Sequence, residues 1–289
     1  MVLWRKIMPN QQRNFMKLWH AREATGLITC LGLDPDRAKM PLRYDDHVHE
    51  SSLNLAYTNF LEAIITATHD QVGSYKLNWA FYLSRLHILK NTVAYIKEVA
   101  PDVPIIVDCK VADIGNTNAQ YADFLFDELG ADAITVHAWH GHEAMEPFLK
   151  RANKGIFVVC RTSNAGGEEF QCLSDGDYPT WWQAVASTVR RKWNYNGNCG
   201  LVIGGNCTAQ NLRLARSQAA YMPILMPGFG SQGAVAEPAL HEGWTERRTG
   251  VLPVNASGII HASRENDYAT AARSRLMQFN KEIDRIRGL

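Results

Sequence analysis

Short apolar runs alternate with longer amphipathic stretches along most of the chain. The runs at residues 103–107 and 155–160 are rich in β-branched side chains and do not alternate with polar residues, which is typical of strands buried on both faces. The pattern predicts eight strands, at residues 26–33, 72–77, 103–107, 133–137, 155–160, 200–204, 222–226 and 251–255. Predicted helices include residues 11–24, 79–100, 116–129, 181–193 and 267–286.

This alternation also predicts how the strands assemble. Strands that alternate with helices form a parallel sheet, and eight repeats in about 250 residues close into a (β/α)₈ TIM barrel. No linker-like stretch divides the chain, so we expect a single barrel domain over residues 1–289 with an additional N-terminal helix. The least regular stretch, residues 231–249, is predicted to be a long loop after the seventh strand.

Composition narrows the function classes. The formal net charge of +1 and the lack of a long basic run argue against general nucleic-acid binding. No apolar run approaches the roughly 20 residues that cross a bilayer, and residues 1–10 lack the apolar core of a secretory signal, so no membrane association is expected. The 6 cysteines include no C-x-x-C pair, which predicts buried, reduced thiols and a cytoplasmic location.

Ionisable residues cluster at the end of the third predicted strand. Asp108 and Lys110 are two positions apart, so on a strand their side chains share a face. Asp113 follows in the next turn, where we expect it to lie close enough to extend this row of charges. One interpretation is a structural ion pair. The other is a catalytic site, because the carboxyl ends of barrel strands carry the active site and crowded charges shift pKa values. Catalysis is favoured because polar residues also lie at or just after the ends of other predicted strands, namely Asp34, Lys76, His137, Ser163 and Gln232.

Several motifs, in this order and spacing, resemble those of the orotidine 5′-monophosphate decarboxylases, and more narrowly their longer bacterial group. The central motif is Asp108-x-Lys110-x-x-Asp113. The others are Gly32-Leu33-Asp34-Pro35, Tyr75-Lys76-Leu77-Asn78, Asp113-Ile114-Gly115-Asn116-Thr117, Cys160-Arg161-Thr162-Ser163-Asn164 and Pro227-Gly228-Phe229-Gly230-Ser231-Gln232-Gly233. The resemblance implies a barrel enzyme that converts orotidine 5′-monophosphate (OMP) to UMP and CO₂ without a cofactor or metal.

The resemblance also implies roles for the charged residues that match. Lys110 would protonate C6 of the pyrimidine as CO₂ leaves, Asp108 would lie against the substrate carboxylate, and Lys76 would hold the ribose and the neighbouring charges. Asp113 and Thr117 would reach into the active site of a second subunit. The expected assembly is therefore a homodimer with shared active sites.

The remaining matches are substrate-binding candidates. The resemblance implies that Asp34 binds a ribose hydroxyl, Ser163 the pyrimidine edge and Gln232 the phosphate. Gly230 and Asn255 belong to the same set.

The chain departs from the family pattern at the phosphate end of the site. The family usually has Asn-x-Ser-Arg after strand eight, whereas this chain has Asn255-Ala256-Ser257-Gly258. Since a bidentate Arg–phosphate pair is a strong polar contact, its loss matters if the substrate is phosphorylated. Either another cation compensates, with Arg247, Arg248 and Arg264 as candidates, or the substrate is a non-phosphorylated or modified C6-carboxylated pyrimidine nucleoside.

Two other stretches differ from the family pattern. Val111-Ala112 stands where Arg-Gly is more usual, and the stretch after strand four contains His137, His140 and His142 where the family tends to have an Asn-Pro-Tyr-type turn. Imidazole is a common metal ligand, but no cysteine or carboxylate array completes a set with recognisable spacing, so no metal site is predicted. These changes leave a specialised paralogue as an alternative.

Two further alternatives follow from the same residues. One is a magnesium-dependent sugar-phosphate decarboxylase of the wider barrel superfamily. The other is a ligand-binding pseudoenzyme, which is disfavoured because a binding protein has no need of the costly charges at Lys76, Asp108, Lys110 and Asp113.

Overall fold

A closed parallel barrel organises the protein. The computed structural model describes residues 13–41, 49–174, 176, 180–230 and 232–288. Within these ranges the strands pair in chain order, and β1 pairs with β8 to close the barrel. The strands are β1 (Cys30–Gly32), β2 (Ser74–Asn78), β3 (Ile105–Val111), β4 (Ala133–His137), β5 (Gly155–Arg161), β6 (Cys199–Ile203), β7 (Ile224–Pro227) and β8 (Val251–Asn255). The predicted (β/α)₈ fold is confirmed.

Helices precede, follow and link the strands. They are α1 (Phe15–Ala24), α2 (Glu50–Thr68), α3 (Leu86–Val99), α4 (Gly115–Ala122), α5 (Gly141–Leu149), α6 (Glu168–Gln171), α7 (Trp181–Thr188), α8 (Ala209–Ala219), α9 (Ala236–Gly243), α10 (Ser257–Ile260) and α11 (Tyr268–Arg287). Helices α4 and α7 each continue as a short π-helix, Asp123–Glu128 and Val189–Trp193.

Local capping explains where two helices begin. The side chain of Asn14 accepts a hydrogen bond from the Lys17 amide, so α1 begins at Phe15, and the predicted start at Gln11 lies outside the described residues. The side chain of Asn78 likewise accepts from the Ala80 amide and starts a 3₁₀ turn. Residues 79–85 therefore form two 3₁₀ turns, and α3 is shorter than predicted.

The prediction of a long loop over residues 231–249 is wrong, because α9 occupies its middle. The buried face of α9 follows helical spacing but consists of small residues apart from one leucine: Ala236, Ala239, Leu240 and Gly243. Pro238 is tolerated because it lies in the first turn, where backbone amides have no partner within the helix. The helix was not predicted because it is short, contains a proline and follows the glycines of residues 228–233, which together are typical of a loop.

Helix α1 closes the amino-terminal end of the barrel. Phe15 is fully buried and meets the ring of Phe157 edge-on at 5.5 Å between ring centroids. Glycine is required beside them, because a Cβ on Gly155 would lie 2.4 Å from the Phe15 ring and one on Gly200 2.6 Å from the Phe157 ring. The packed interior leaves the carboxyl ends of the strands as the open end.

The six cysteines are all free thiols, and four of them are buried. Burial raises the pKa of the Cys30 and Cys109 thiols to about 12, so both are inert small side chains. None of the helices in the described part of the chain combines the length and apolar character needed to span a bilayer.

Candidate active site

Four charged side chains of alternating sign meet at the carboxyl ends of β1, β2 and β3. The Lys76 Nζ lies 3.6 Å from Asp34 Oδ2 and 3.1 Å from Asp108 Oδ2. The other oxygen of Asp108, Oδ1, lies 2.6 Å from the Lys110 Nζ. We call Asp34, Lys76, Asp108 and Lys110 the charge row.

The backbone of β3 is irregular where it carries the charge row. Val107 pairs with Ile134 but Val111 pairs with Val136, so extra residues bulge out between these two pairs. Lys110 adopts a left-handed φ of 47°, which costs a non-glycine residue about 1–2 kcal/mol. The expected meeting of Asp108 and Lys110 is observed, although a bulge and not a regular pleat produces it.

Thr135 on β4 holds this bulge. Its hydroxyl donates to Asp108 Oδ1 at 2.8 Å and accepts from the Lys110 amide at 2.9 Å. The hydroxyl therefore fixes the Asp108 carboxylate and the Lys110 backbone together. Sequence reasoning missed Thr135, although a threonine two positions before the strand-end His137 shares its face of β4.

The electrostatics of the charge row keep its inner members ionised. Burial opposes charge on Lys76, but the carboxylates of Asp34 and Asp108 outweigh it and raise the Lys76 pKa above its ordinary value. Burial likewise opposes charge on Asp108, yet Lys76 and Lys110 lower the Asp108 pKa well below its usual range. Lys110 is the accessible end, because 42 % of its side chain is exposed against 6 % for Lys76.

Hydrogen bonds also fix the loop that carries Asp34. The Asn78 amide donates to Asp34 Oδ1 at 3.1 Å, which leaves Oδ2 facing Lys76. The buried Tyr82 hydroxyl donates to the Leu33 carbonyl at 2.6 Å. A ligand would therefore meet a preorganised carboxylate.

Asp113 does not join the charge row of its own chain. Its Oδ1 accepts from the Ile114 amide at 2.7 Å, and it forms no ion pair with a cation of the described residues. Asn118 donates to the Asp113 carbonyl at 2.6 Å and fixes the turn, while Thr117 is half-buried in the first turn of α4. The expectation that Asp113 extends the row within one chain is not met.

The predicted phosphate end lies between the loops that follow β5, β7 and β8. The Ser163 hydroxyl donates to Gln232 Oε1 at 2.6 Å. Asn255 Nδ2 donates to the Phe229 carbonyl at 3.0 Å, while Asn255 Oδ1 is buried without a hydrogen-bond partner. This oxygen points between two glycines, since a Cβ on either Gly230 or Gly258 would lie 3.1 Å from it.

Arg247 and Arg248 are not at this end of the barrel. They lie between α9 and β8, in the turn that leads into the amino-terminal end of β8. Arg248 donates to the carbonyl of Arg287, the last residue of α11. Neither residue is the compensating cation considered above. Arg264, between α10 and α11, is exposed and forms no ion pair within the described ranges.

Lys39 reaches the phosphate end instead. It lies in the loop after β1, and its Nζ approaches Ser257 Oγ at 3.5 Å, directly before Gly258. It also pairs with Asp36 at 3.2 Å and keeps 44 % of its side chain exposed. Among the described residues, no other Lys or Arg side chain forms a hydrogen bond with Gly230, Gln232, Asn255, Ser257 or Gly258. Sequence reasoning missed Lys39 because it belongs to none of the motifs.

The three histidines do not converge. His137, at the end of β4, is close enough to Lys110 for that ammonium to add to burial in lowering the His137 pKa. His142 Nε2 lies 3.6 Å from Glu146 Oε2 along α5, and His140 precedes that helix in an exposed position. No group of three or more His, Cys, Asp or Glu side chains in the described ranges is arranged to hold a metal ion.

Comparison with known proteins agrees with this geometry. The model of the orotidine 5′-phosphate decarboxylase / HUMPS family matches residues 29–270. The chain belongs to this family. Curated relatives named orotidine 5′-phosphate decarboxylase include that of Cupriavidus metallidurans, 38 % identical over 90 % of this chain and 93 % of the relative. That of Ralstonia nicotianae is 37 % identical over 90 % of this chain and 94 % of the relative.

A solved member of the family has the same fold over its whole length. The structure of Leishmania donovani OMP decarboxylase is 30 % identical, covers 96 % of this chain and 99 % of its own, and has a TM-score of 0.79. The family resemblance found in the sequence motifs is therefore confirmed. The phosphate end of this chain carries Gly258 after Ser257, and a lysine from the β1 loop lies beside it.

Proposed function

We propose that this protein is a decarboxylase that converts OMP to UMP and CO₂. The observation that carries the proposal is the charge row, in which a partly exposed ammonium, Lys110, lies 2.6 Å from a buried ionised carboxylate at the open end of the barrel. Family membership over nearly the whole length of named decarboxylases supports the same conclusion.

The charge row suits a reaction that develops negative charge at carbon. The bond between C6 and the substrate carboxylate breaks, its electron pair stays on C6, CO₂ leaves, and Lys110 gives C6 a proton. Asp108 lies against the substrate carboxylate in this proposal, while Lys76 holds Asp108 and the ribose. A fixed ammonium stabilises the developing charge without reorganisation, so the chemistry requires no cofactor.

The other site residues bind the pyrimidine nucleotide in this proposal. Asp34 binds a ribose hydroxyl, because its Oδ2 faces the open end beside Lys76. Ser163 binds the pyrimidine edge and Gln232 the phosphate, and their mutual hydrogen bond opens to admit the ligand. Gly230 leaves room for the phosphate, and Asn255 offers its unpaired oxygen to a bound water.

Lys39 supplies the positive charge for the phosphate. It is the cation that the described structure brings next to Gly258, and its long side chain can turn from Asp36 to an incoming phosphate. This assignment favours a phosphorylated substrate over a nucleoside.

Side-by-side assays of OMP and free orotidine, with a chelator present, test the function. We expect CO₂ release from OMP, with a strong preference over orotidine and no effect of the chelator. A preference for orotidine would indicate the specialised paralogue, and loss of activity with chelator would indicate the magnesium-dependent enzyme. Tight UMP binding without CO₂ release from either compound would indicate a pseudoenzyme.

Lys39→Met should raise the KM for OMP by about 10- to 100-fold, because a charged hydrogen bond to the phosphate is lost. The KM for orotidine, which has no phosphate, should not change. Steady-state kinetics on both substrates measures the difference, with Arg264→Met as the matched variant. A raised KM for OMP in Arg264→Met, with none in Lys39→Met, would overturn the assignment.

The proposal includes a homodimer in which Asp113 and Thr117 complete the partner's site. The position of Asp113, without an ion pair in its own chain, supports this arrangement. The free thiols also fit the predicted cytoplasmic location, where cysteines stay reduced.

Mixing two inactive variants tests the shared site. Lys110→Met and Asp113→Asn should each be inactive alone. Mixed after unfolding and refolding together, they should regain about a quarter of wild-type activity, because half of the dimers are mixed and each holds one intact site. No recovery, with mixed dimers shown by native mass spectrometry, would mean that Asp113 acts in its own chain or not at all.

A further inference from the structure

A basic cavity lies at the end of the barrel opposite the charge row. Its volume is about 670 Å³, within the range of small-molecule sites. Its lining comes from the start of α1, the end of α3 and the segments before β4 and β5. The cationic side chains that line it are Arg13, Lys17, Lys97, Lys150, Arg151 and Lys154.

Two of these cations are already neutralised. Arg13 forms two hydrogen bonds with the buried Asp132 carboxylate, at 2.8 and 2.7 Å. Arg151 pairs with Asp127 at 2.8 Å and with Asp123 at 2.7 Å. The excess positive charge in the cavity therefore comes from the lysines.

The four lysines have no carboxylate within ion-pairing distance in the described ranges. Residues 1–12, which precede Arg13, contain no aspartate or glutamate that could supply one. The Lys154 Nζ donates to the Ala131 carbonyl at 2.7 Å and lies over the Phe126 ring, so it is held in place but not neutralised. The cavity thus presents lysine ammonium groups that no ion pair within the described ranges neutralises.

Lys97 and Lys154 form the floor of the cavity. Both are half-buried, and burial lowers the pKa of each, with Lys154 and Arg13 adding to the effect on Lys97. Asp132 partly offsets this effect on both lysines, but its carboxylate is already paired with Arg13, so a bound anion would stabilise their charges further. The small volume and the overall charge of +1 fit a compact anion better than a nucleic acid.

We propose that this cavity is a second ligand site that binds a multiply charged phosphate group, either free or as part of a nucleotide. Lys97 and Lys154 bind the phosphate oxygens from below, and Lys17 and Lys150 bind them at the rim. The site is separated from the charge row by the packed interior of the barrel.

Calorimetric titration of the wild-type protein with inorganic pyrophosphate and with ADP, which lacks the pyrimidine that the active site binds, tests the proposal at constant ionic strength. We expect binding in the micromolar to low-millimolar range. Lys97→Gln with Lys154→Gln should weaken it at least about tenfold, because two charged contacts are lost. Tighter binding of ADP would identify a nucleotide site, and equal binding a site for the free anion.

Control variants distinguish binding in this cavity from nonspecific attraction to surface lysines and from binding at the active site. Removing two exposed lysines elsewhere, with Lys192→Gln and Lys281→Gln, should leave binding unchanged. The affinity loss in the cavity variants should persist in a Lys39→Met background, where the active-site contact to phosphate is absent. If the protein with Lys97→Gln and Lys154→Gln unfolds, Lys17→Gln with Lys150→Gln is measured in its place. We expect that variant to lose at least about threefold in affinity. The proposal is overturned if the wild-type protein binds neither probe at about 10 mM, or if the control variants lose as much affinity as the cavity variants.

Discussion

Lys110→Met is expected to reduce the turnover of OMP by at least about 10⁴-fold, because one side chain both donates the proton and stabilises the charge at C6. Asp108 stays paired with Lys76 in this variant, so no buried carboxylate is left without a counter-ion. The Lys110 side chain is 42 % exposed, and its removal should change the melting temperature by no more than about 3 °C. Stopped assays of UMP formation together with thermal unfolding measure both effects.

The control for this variant is the same substitution at a surface lysine. Lys90 lies on α3, outside the charge row, and pairs with Glu128 at 3.4 Å, so Lys90→Met should retain wild-type turnover. If Lys110 is the donor, wild-type turnover in D₂O should also place one deuterium at C6 of UMP. Turnover of Lys110→Met within about tenfold of wild type would exclude the proposed proton donor.

The fold was predictable because each strand is marked in the sequence by its own run of apolar residues. A barrel strand is buried on both faces, so its apolar run is continuous and its limits are visible, as in β4 and β8, which were predicted to the residue. Helix α9 was not predicted because it is short, contains Pro238 and follows a glycine-rich stretch, all of which are typical of a loop.

The site residues that the sequence predicted are those in which a charged side chain lies at the carboxyl end of a predicted strand. Asp34, Lys76, Asp108 and Lys110 lie at or just after the carboxyl ends of strands, and a barrel brings such positions together whatever their separation in sequence. Thr135 was not predicted as a site residue because a β-branched side chain is ordinary in a strand. Lys39 was not predicted as a site residue because its approach to Ser257 depends on the path of the loop after β1, which no periodic pattern of residues indicates.

The second large effect is expected from Lys76→Met, which should lower the free energy of unfolding by about 3–5 kcal/mol, the cost of breaking a buried pair from one side. Lys76 is 6 % exposed and is the shared counter-ion of Asp34 and Asp108. Its removal leaves two nearby carboxylates, of which Asp108 is also buried. Denaturant unfolding at pH 7 measures the loss, and Lys90→Met, which breaks an exposed pair, should change it by less than about 1 kcal/mol.

The pH dependence of this variant should have the opposite sign to that of the wild-type protein. In the wild type the Asp108 pKa is depressed, so its contribution to stability is present above the unfolded-state pKa of about 3.9 and is lost as the pH falls through the folded-state value. Without Lys76, burial and the neighbouring Asp34 should raise the Asp108 pKa above its unfolded value. The folded variant then binds a proton more tightly than the unfolded chain does, so lowering the pH from about 7 to about 5 should stabilise it. Equal pH slopes for the two proteins would mean that Lys110 alone keeps Asp108 ionised, and that Lys76 is not needed to hold the charge row.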